Sequence, residues 1–383
     1  MNFSLTTEQQ QLVDQVRKFT AAHLAPGVAE RDEKQEFPLD AFKEFGKMGM
    51  FGLCYPTEFG GSGMGYLPYI LAVEEVSKVD AAFGIAYSVN TSLYGGSVMY
   101  SQATAEQKKR FLAPIASGQA IGSFGLTEPS AGSDAAGQKM LATKDGDSYI
   151  LNGTKIFNTN GPIADYTVIY ALTDPSIGTK SMCAFVVEKG MEGFYVGPKA
   201  HKMGIRSAQV AEMVLNNVRV SPEHMIAKPG EGFKLAMVTL DGGRIGVAAQ
   251  ALGIAEGAFA IAADYLQKRE QFGKPLVKQQ YLAFKMAELY ADLEKARLVL
   301  YKAATLKEEG KPFTTAAAIA KLTCSDTAMK ITTECVQMLG GNGYMQEYHV
   351  ERMMRDAKIT QIYEGTNEIQ KLVISSNLFA HKK

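Results

Sequence analysis

The sequence predicts an α+β protein with an N-terminal all-α domain, a middle β-barrel or β-sandwich domain and a C-terminal four-helix bundle. Three observations predict this order. Helical periodicity fills the first third of the chain, and strand-like runs separated by turn residues occupy about 122–228. The helical period returns near residue 232 and holds to the end. The predicted domains are 1–121, 122–230 and 231–383.

The N-terminal domain is predicted to be helical throughout. Its first helix covers 5–24, where Thr6 and Gln9 have the spacing of a capping box and Leu12 and Phe19 recur on one face. Further helices are predicted at 38–50, 66–79, 86–100 and 104–117.

The middle domain is predicted from short β-rich runs. Tyr166–Tyr170 and Cys183–Val187 are typical strands, and the dipeptide Asn152-Gly153 is a typical turn. In the C-terminal domain, the segment 232–267 is rich in Ala and Gly, which permits helices to pack closely. Long amphipathic helices follow at 277–308, 313–339 and 347–357, as expected for a helical bundle or an oligomer interface.

Composition excludes several classes of protein. Basic and acidic residues balance at 40 each, so nothing favours binding to nucleic acid or to an anionic membrane. No secretion signal and no unbroken apolar run of about 20 residues is found, so we expect a cytoplasmic protein without a membrane span. Four cysteines without metal-like spacing are expected to be reduced, and no metal site is predicted: Cys54, Cys183, Cys324 and Cys335.

The stretch Gln361–Glu368 contains the strongest candidate for a catalytic group. Glu364 follows Ile362 and Tyr363 and precedes a glycine. Apolar neighbours would remove water from the carboxylate and raise its pKa, as a general base acting on a weakly acidic C–H requires. The simpler alternative is an exposed acid at the start of a helix.

Three further segments have the composition of ligand-binding loops. Gly125–Asp134 offers free N–H groups and hydroxyls, which can hold flat polar rings or phosphates, although such loops are common. Lys155–Gly161 places an aromatic residue and a hydroxyl two residues apart, on one side of a strand. Gln337–Tyr344 breaks a helix and could recognise a nucleotide, or could be an ordinary glycine cap.

Together these segments, with the loop Tyr55–Gly61, resemble the acyl-CoA dehydrogenase family over essentially the whole chain. Residues 125–137 fit the family's first motif and Tyr363–Thr366 fit its catalytic segment. Residues 337–356 fit the second motif, including Glu347, Arg352 and Asp356.

The resemblance implies an enzyme with non-covalent FAD that acts on an acyl-CoA thioester. Glu364 would remove the pro-R α-proton, a hydride would pass from the β-carbon to flavin N5, and a trans-2-enoyl-CoA would form. The flavin ribityl 2′-hydroxyl and the N–H of Glu364 would stabilise the developing enolate oxygen.

The resemblance also assigns residues to FAD. Those at the isoalloxazine ring would be Phe124, Leu126, Thr127, Phe157 and Thr159. Those binding the adenosine diphosphate half, from a neighbouring subunit, would be Arg269, Gln271, Phe272, Gln337 and Gly341. Thr366 and Glu368 would hold FAD near the base, and Ser133 would reach the pyrophosphate or the CoA arm.

Substrate contacts are implied for Asp241 and Arg244 at the mouth of the site and for Tyr363 and Gly365 beside the base. Gln250 would form the floor of the acyl pocket and, with Thr360, matches short-chain members of the family. The alternative is that Gln250 is a partly exposed helix residue.

Two departures from the family pattern, Tyr87 and Asn158, leave a branched or cyclic acyl-CoA open as substrate. An acyl-CoA oxidase, an enoyl-CoA reductase and a non-catalytic acyl-CoA binder are the other hypotheses. The family implies electron-transferring flavoprotein as electron acceptor and a homotetramer built as a dimer of dimers.

Overall fold

The computed structural model describes residues 4–379, and within them the order of helices, strands and helices confirms the α+β class. Residues 1–3 and 380–383, at the ends of the first and last predicted domains, lie outside the described residues. The boundaries between the three domains stay predictions.

The N-terminal part is a set of short helices. The capping box of the first helix is confirmed, because the Thr6 hydroxyl accepts from the Gln9 N–H and the Gln9 side chain accepts from the Thr6 N–H. A π-helical segment, Val89–Gly95, joins the fifth and sixth helices into one rod. The helices are α1 (Thr7–Phe19), α2 (Val28–Lys34), α3 (Leu39–Lys47), α4 (Tyr66–Ser77), α5 (Ala81–Ser88), α6 (Gly96–Tyr100), α7 (Ala105–Phe111) and α8 (Ala113–Ala116).

The middle part is one branched sheet of eight strands. The strands are β1 (Gly122–Gly125), β2 (Leu141–Asp145), β3 (Ser148–Thr159), β4 (Tyr166–Leu172), β5 (Met182–Glu188), β6 (Phe194–Val196), β7 (Val210–Val220) and β8 (Met225–Ala227). Their order is β6-β7-β3-β2-β4-β5-β8, and β1 pairs in parallel with β4. A shift of register in β3 between Lys155 and Asn158 marks a bulge, and Phe157 there has a φ of +59°.

Among the residues described up to 379, the C-terminal part consists of five helices, and a two-stranded hairpin lies between the first two of them. The helices are α9 (Gly232–Lys268), α10 (Gln280–Glu308), α11 (Thr314–Leu339), α12 (Val350–Thr360) and α13 (Asn367–Leu378). The hairpin consists of β9 (Glu270–Gln271) and β10 (Lys274–Pro275), directly after α9.

Helix α9 is the central element of the fold. Its 37 residues span ~55 Å at 1.5 Å per residue, and it packs against α4, α10, α11 and α12. Close approach to α4 depends on glycine, since a Cβ at Gly253 would lie 2.3 Å from the carbonyl oxygen of Glu74. In residues 4–379, α9 is the one helix long and apolar enough to cross a membrane, but 78 % of its most apolar stretch is buried in the protein core.

Candidate active site

Glu364 lies in the loop between α12 and α13, in a backbone conformation that an L-residue rarely adopts. Its φ is +54°, and that of Gly365 is +89°. The buried side chain of Gln370 holds the turn by donating to the carbonyl oxygen of Gly365 at 2.8 Å and, more weakly, to that of Glu364 at 3.4 Å. A left-handed glutamate costs about 1–3 kcal/mol and is kept where surrounding structure enforces it, often at functional sites.

The Glu364 carboxylate is enclosed by α9 and by the π-helical segment between α5 and α6. Both carboxylate oxygens are buried and have no hydrogen-bond partner within residues 4–379. A Cβ added to Gly243 of α9 would lie 1.9 Å from Glu364 Oε2 and 2.6 Å from Leu93 Cδ2. The predicted desolvation of the acid is confirmed, and the alternative of an exposed acid is excluded. Ile362 itself is 48 % exposed, and the enclosing contacts come from Gly243 and Leu93.

Burial raises the pKa of Glu364 to about 8, and the positive charges of Lys321 and Arg244 oppose this effect. A pKa near the operating pH suits a general base, because the carboxylate is then both present and sufficiently basic. The N–H of Glu364 makes no hydrogen bond to any residue in the range 4–379, so it is free to donate to a bound ligand.

Asp241 and Arg244 form a buried ion pair one turn apart on α9, with a distance of 2.6 Å between Arg244 Nη1 and Asp241 Oδ1. The Thr314 hydroxyl donates to the second oxygen of Asp241 at 2.6 Å. The pair therefore lies on the same helical turn as Gly243, next to the base.

Gln250 is completely buried, so the alternative of a partly exposed helix residue is wrong. Its Nε2 donates to the carbonyl oxygen of Ala81 at 2.8 Å, and its Oε1 accepts from the hydroxyl of Tyr363. Thr360 is buried too. Gln250 thus joins α9 to the residue that precedes the base.

The two predicted flavin segments lie side by side in the sheet. The Ile156 N–H donates to the carbonyl oxygen of Thr127 at 2.9 Å, and Asn158 Nδ2 donates to that of Phe124 at 3.0 Å. The hydroxyls of Thr127 and Thr159 make no hydrogen bond within residues 4–379.

These residues fit a flat, polar ring such as that of FAD. Phe157 is 72 % exposed on its bulge, Leu126 is buried, and Phe124 is half-buried, so an aromatic and aliphatic surface lies beside two free hydroxyls. Two segments that are 30 residues apart in sequence are needed to build this surface.

Lys155 fixes one of these segments, a role that sequence reasoning missed. Its buried ammonium donates to the carbonyl oxygen of Leu126 at 3.0 Å, to Glu128 Oε1 at 2.8 Å and to Gln138 Oε1 at 3.1 Å. A lysine inside a strand that also carries buried apolar residues was the available sign.

A chain of contacts links the flavin segments to the base. The ring of Phe124 packs on that of Tyr170 at 5.4 Å, and the Tyr170 hydroxyl lies 3.1 Å from Ser97 Oγ. Ser97 Oγ in turn lies 3.4 Å from Thr239 Oγ1 on α9. Thr239 is one helical turn before Gly243, so the ring surface and Glu364 converge on the same part of α9.

Five further FAD candidates form a second cluster at the opposite end of α9. Arg269 follows the last residue of α9, roughly 26 residues beyond Gly243 or ~39 Å along the helix. Asn342 donates to the Tyr265 hydroxyl at 2.9 Å, which brings the Gln337–Gly341 turn to the same end. The candidates in this cluster are exposed, with Phe272 at 93 %: Arg269, Gln271, Phe272, Gln337 and Gly341.

Three predicted residues remain. Thr366 caps α13, its hydroxyl accepting from the Ile369 N–H at 3.3 Å, and so closes the loop that contains the base. Glu368 is exposed in the first turn of α13, and Ser133 is exposed in the loop after β1. The structure therefore places Thr366 with the base and leaves Glu368 and Ser133 at the surface.

Comparison with known proteins identifies the family. Three family models match: the N-terminal domain of acyl-CoA dehydrogenases over residues 6–119, the middle domain over 123–218 and the C-terminal domain over 230–379. The short-chain specific acyl-CoA dehydrogenase of Clostridium acetobutylicum is 50 % identical over 379 residues, covering 99 % of this chain and 100 % of that protein.

Solved structures agree. The butyryl-CoA dehydrogenase of Megasphaera elsdenii has a TM-score of 0.97 and 50 % identity, over 99 % of this chain and 100 % of its own. A chain described with the electron transferring flavoprotein of Acidaminococcus fermentans has a TM-score of 0.98, 51 % identity and the same coverage. A glutaryl-CoA dehydrogenase of Mycobacterium smegmatis, 32 % identical with a TM-score of 0.92 over 98 % of this chain and 95 % of its own, was solved with FADH2.

The resemblance noted from the sequence is confirmed, and the residues at the sheet surface suit the flavin that such enzymes carry. The chain belongs to the acyl-CoA dehydrogenase family, a family of oxidoreductases that act on CH–CH groups with FAD as cofactor.

Proposed function

We propose that the protein oxidises a short-chain acyl-CoA, such as butyryl-CoA, to the 2-enoyl-CoA, with Glu364 as the base that removes the α-proton. One observation carries this proposal most directly. The Glu364 carboxylate is buried, unpaired and pressed against Gly243, with its pKa raised to about 8. Few arrangements other than proton transfer explain an unpaired buried acid on a strained loop.

Each of these residues would have a distinct role in the reaction. Glu364 takes the α-proton, and its backbone N–H donates to the thioester oxygen as negative charge develops there. The enclosure by Leu93 and α9 keeps water from the carboxylate. Thr127, Thr159 and the ring of Phe157 would hold the flavin. Bound FAD supplies the acceptor for the hydride that leaves the β-carbon.

The short acyl chain is proposed from the contacts of Gln250. This side chain spans from Ala81 to Tyr363 and, with Thr360, would close the pocket behind the base. The relatives at 50 % identity are named for short-chain acyl-CoA or butyryl-CoA. Tyr87, which suggested a branched or cyclic substrate, is a core residue that donates to the Met50 carbonyl at 2.6 Å, so it does not favour that alternative.

Assembly is proposed from the separation of the two FAD clusters. Arg269 and Phe272 lie ~39 Å along α9 from the base of the same chain, too far to contact one flavin with it. A neighbouring copy must then supply them, which requires at least a dimer and is compatible with a homotetramer. Large apolar side chains exposed on α10, namely Tyr281, Phe284 and Leu298, would be covered in that assembly.

We also propose a cytoplasmic enzyme that passes its electrons to an electron-transferring flavoprotein, because one of the similar structures is described with such a flavoprotein. Reoxidation by oxygen would indicate an oxidase, and reduction of enoyl-CoA as the favoured direction would indicate a reductase.

The test is anaerobic addition of butyryl-CoA to the purified flavoprotein. Flavin absorbance is expected to bleach with formation of the 2-enoyl-CoA. Glu364→Gln should keep its FAD and bleach about 10²–10⁴-fold more slowly, the usual contribution of a general base.

An unchanged flavin spectrum in the wild type would refute the function. Substantial activity in the variant would refute the base. A survey of linear, branched and cyclic acyl-CoAs then fixes the acyl group.

A further inference from the structure

Lys321, in the N-terminal half of α11, is a fully buried lysine that the mechanism above does not use. Its ammonium donates to Asn367 Oδ1 at 2.8 Å. No carboxylate in residues 4–379 lies within 4.0 Å of it, unlike buried Lys155, which has Glu128 as an ion-pair partner. A buried cation without a paired anion is costly, so its place next to the active-site loop requires an explanation.

Helix α11 holds both ends of the loop that contains Glu364. At the far end, the amide of Asn367 binds Lys321, Ser325 and Asp326, with Asn367 Nδ2 donating to Asp326 Oδ1 at 2.8 Å. At the near end, Gln361 Nε2 donates to the same Asp326 oxygen at 2.7 Å. Loop 361–367 is therefore clamped to one face of α11, and Lys321 is the only charged donor in that clamp among the described residues.

The clamp matters because the loop is strained. Glu364 keeps a φ of +54° that its side chain disfavours, and its carboxylate gains no hydrogen bond in exchange. Such a conformation persists only where neighbouring contacts over-determine it. The bonds from Lys321 and Asp326 to the two ends of the loop are contacts of this kind.

Lys321 is also the foremost positive charge acting on Glu364. Two cations influence the carboxylate, Lys321 and then Arg244, but Arg244 is already paired with Asp241 at 2.6 Å. Conversely, Glu364 is the foremost negative charge acting on Lys321. Burial lowers the pKa of Lys321 to about 7 while it raises that of Glu364.

We propose that Lys321 is a positioning residue for proton abstraction: its ammonium anchors loop 361–367 through Asn367 and supplies a positive charge that favours the ionised form of the Glu364 carboxylate. This inference rests on the proposed role of Glu364 as base. A proton removed from the substrate would then be received by a group whose charged form Lys321 stabilises.

Other charged and titratable groups lie around Glu364 and Lys321, and every variant in the test retains them. Around Glu364 these are Arg244 with its partner Asp241 on α9 and the phenols of Tyr66 and Tyr69 on α4. Around Lys321, beyond Glu364 and Arg244, they are Asp326 on α11 and Glu368 on α13.

The experiment compares Lys321→Met, Lys321→Gln and Lys321→Arg in the purified flavoprotein. Methionine removes the charge and the donor, glutamine keeps a donor for Asn367 without charge, and arginine keeps the charge. Lys330→Met, an exposed lysine on the same helix, is the matched control. Protonation of Glu364 is followed without substrate by infrared spectroscopy, using the carboxyl band that is missing in Glu364→Gln.

Loss of a nearby cation raises the pKa of a carboxylate by about 1–3 units, so we expect the Glu364 band to titrate at least about one unit higher in the Met and Gln variants. The acid limb of kcat/KM should move by the same amount, giving about tenfold lower activity at neutral pH that recovers as pH rises. Lys321→Arg should retain the wild-type midpoint, and Lys330→Met should leave it unchanged.

A uniform loss of activity without a shift of the midpoint would overturn the proposal, because it would leave Lys321 a purely structural role. An unshifted Glu364 band in Lys321→Gln would overturn the proposal too. The glutamine variant keeps a hydrogen-bond donor, so it guards against misfolding of the methionine variant. The infrared titration needs no turnover, so it stays informative even where the protein fails to oxidise any acyl-CoA.

Discussion

The carboxylate of Glu364 packs against the backbone of Gly243, at a spot where even one methyl group would collide with it. A Cβ at position 243 would approach Glu364 Oε2 to 1.9 Å. The residue type at position 243 of α9 therefore determines which position the Glu364 carboxylate can occupy.

Gly243→Ala is expected to lower kcat by about 10²-fold, since a displacement of about 1 Å of a reacting group has an effect of this size. The fold should survive, because alanine favours the helix by about 1 kcal/mol. The matched control is Gly242→Ala, whose Cβ would meet the Tyr66 hydroxyl at 3.2 Å and Lys307 Nζ at 3.3 Å, and not the base. Steady-state kinetics with butyryl-CoA and thermal unfolding check both. Equal kinetics for the two variants would contradict the steric argument.

Stability is expected to depend on the charge of Glu364. Its pKa is 4.5 in an unfolded chain and about 8 in the fold, so between these values the folded protein binds more protons and loses stability as pH rises. Glu364→Gln should therefore gain in Tm relative to wild type, and the gain should be larger at about pH 9 than at about pH 5.5. Differential scanning calorimetry at both pH values measures it. A gain independent of pH would show that the buried charge is not its source.

Lys155→Met should destabilise the fold by about 3–5 kcal/mol, because Glu128 would remain buried without its ionic partner. FAD should also dissociate more readily, since Lys155 fixes the Leu126 carbonyl beside the ring surface. Denaturant unfolding and the FAD retained after dialysis are the measurements. Lys144→Met, an exposed lysine on the adjacent strand, serves as control and should match the wild type in both.

Gln250→Ala should shift substrate preference towards longer acyl chains. Opening space for a methylene group is worth about 10–200-fold in discrimination, so the ratio of kcat/KM for hexanoyl-CoA to that for butyryl-CoA should rise at least about tenfold. Gln267→Ala, on the exposed end of the same helix, is the control. A ratio that stays constant in Gln250→Ala would remove this residue from the acyl pocket.

The fold was predictable where a local pattern repeats. The capping box at Thr6 and Gln9 fixed the start of α1, and the apolar runs of β4 and β5 are strands as expected. One short helix escaped prediction, because α2 has only seven residues between left-handed Gly27 and Gln35.

The site was predictable only in part, because its residues come together through packing. Glu364 belongs to a recognisable motif, but its environment comes from Leu93, Gly243 and Lys321, which are far apart in sequence. Nothing local distinguishes Lys321 from a solvated lysine in an alanine-rich helix. Similarly, the bulge that exposes Phe157 depends on pairing with β7, which follows some 50 residues later.

The left-handed turn at position 364 has a practical consequence for anyone who engineers this protein. Glycine there would relieve the backbone and delete an acid that water cannot reach, so the molecule should withstand heat better while losing its chemistry. A screen for heat resistance alone, without a thioester substrate, would therefore enrich stable but inactive variants. Such a selection has to include a test of catalytic turnover from the first round.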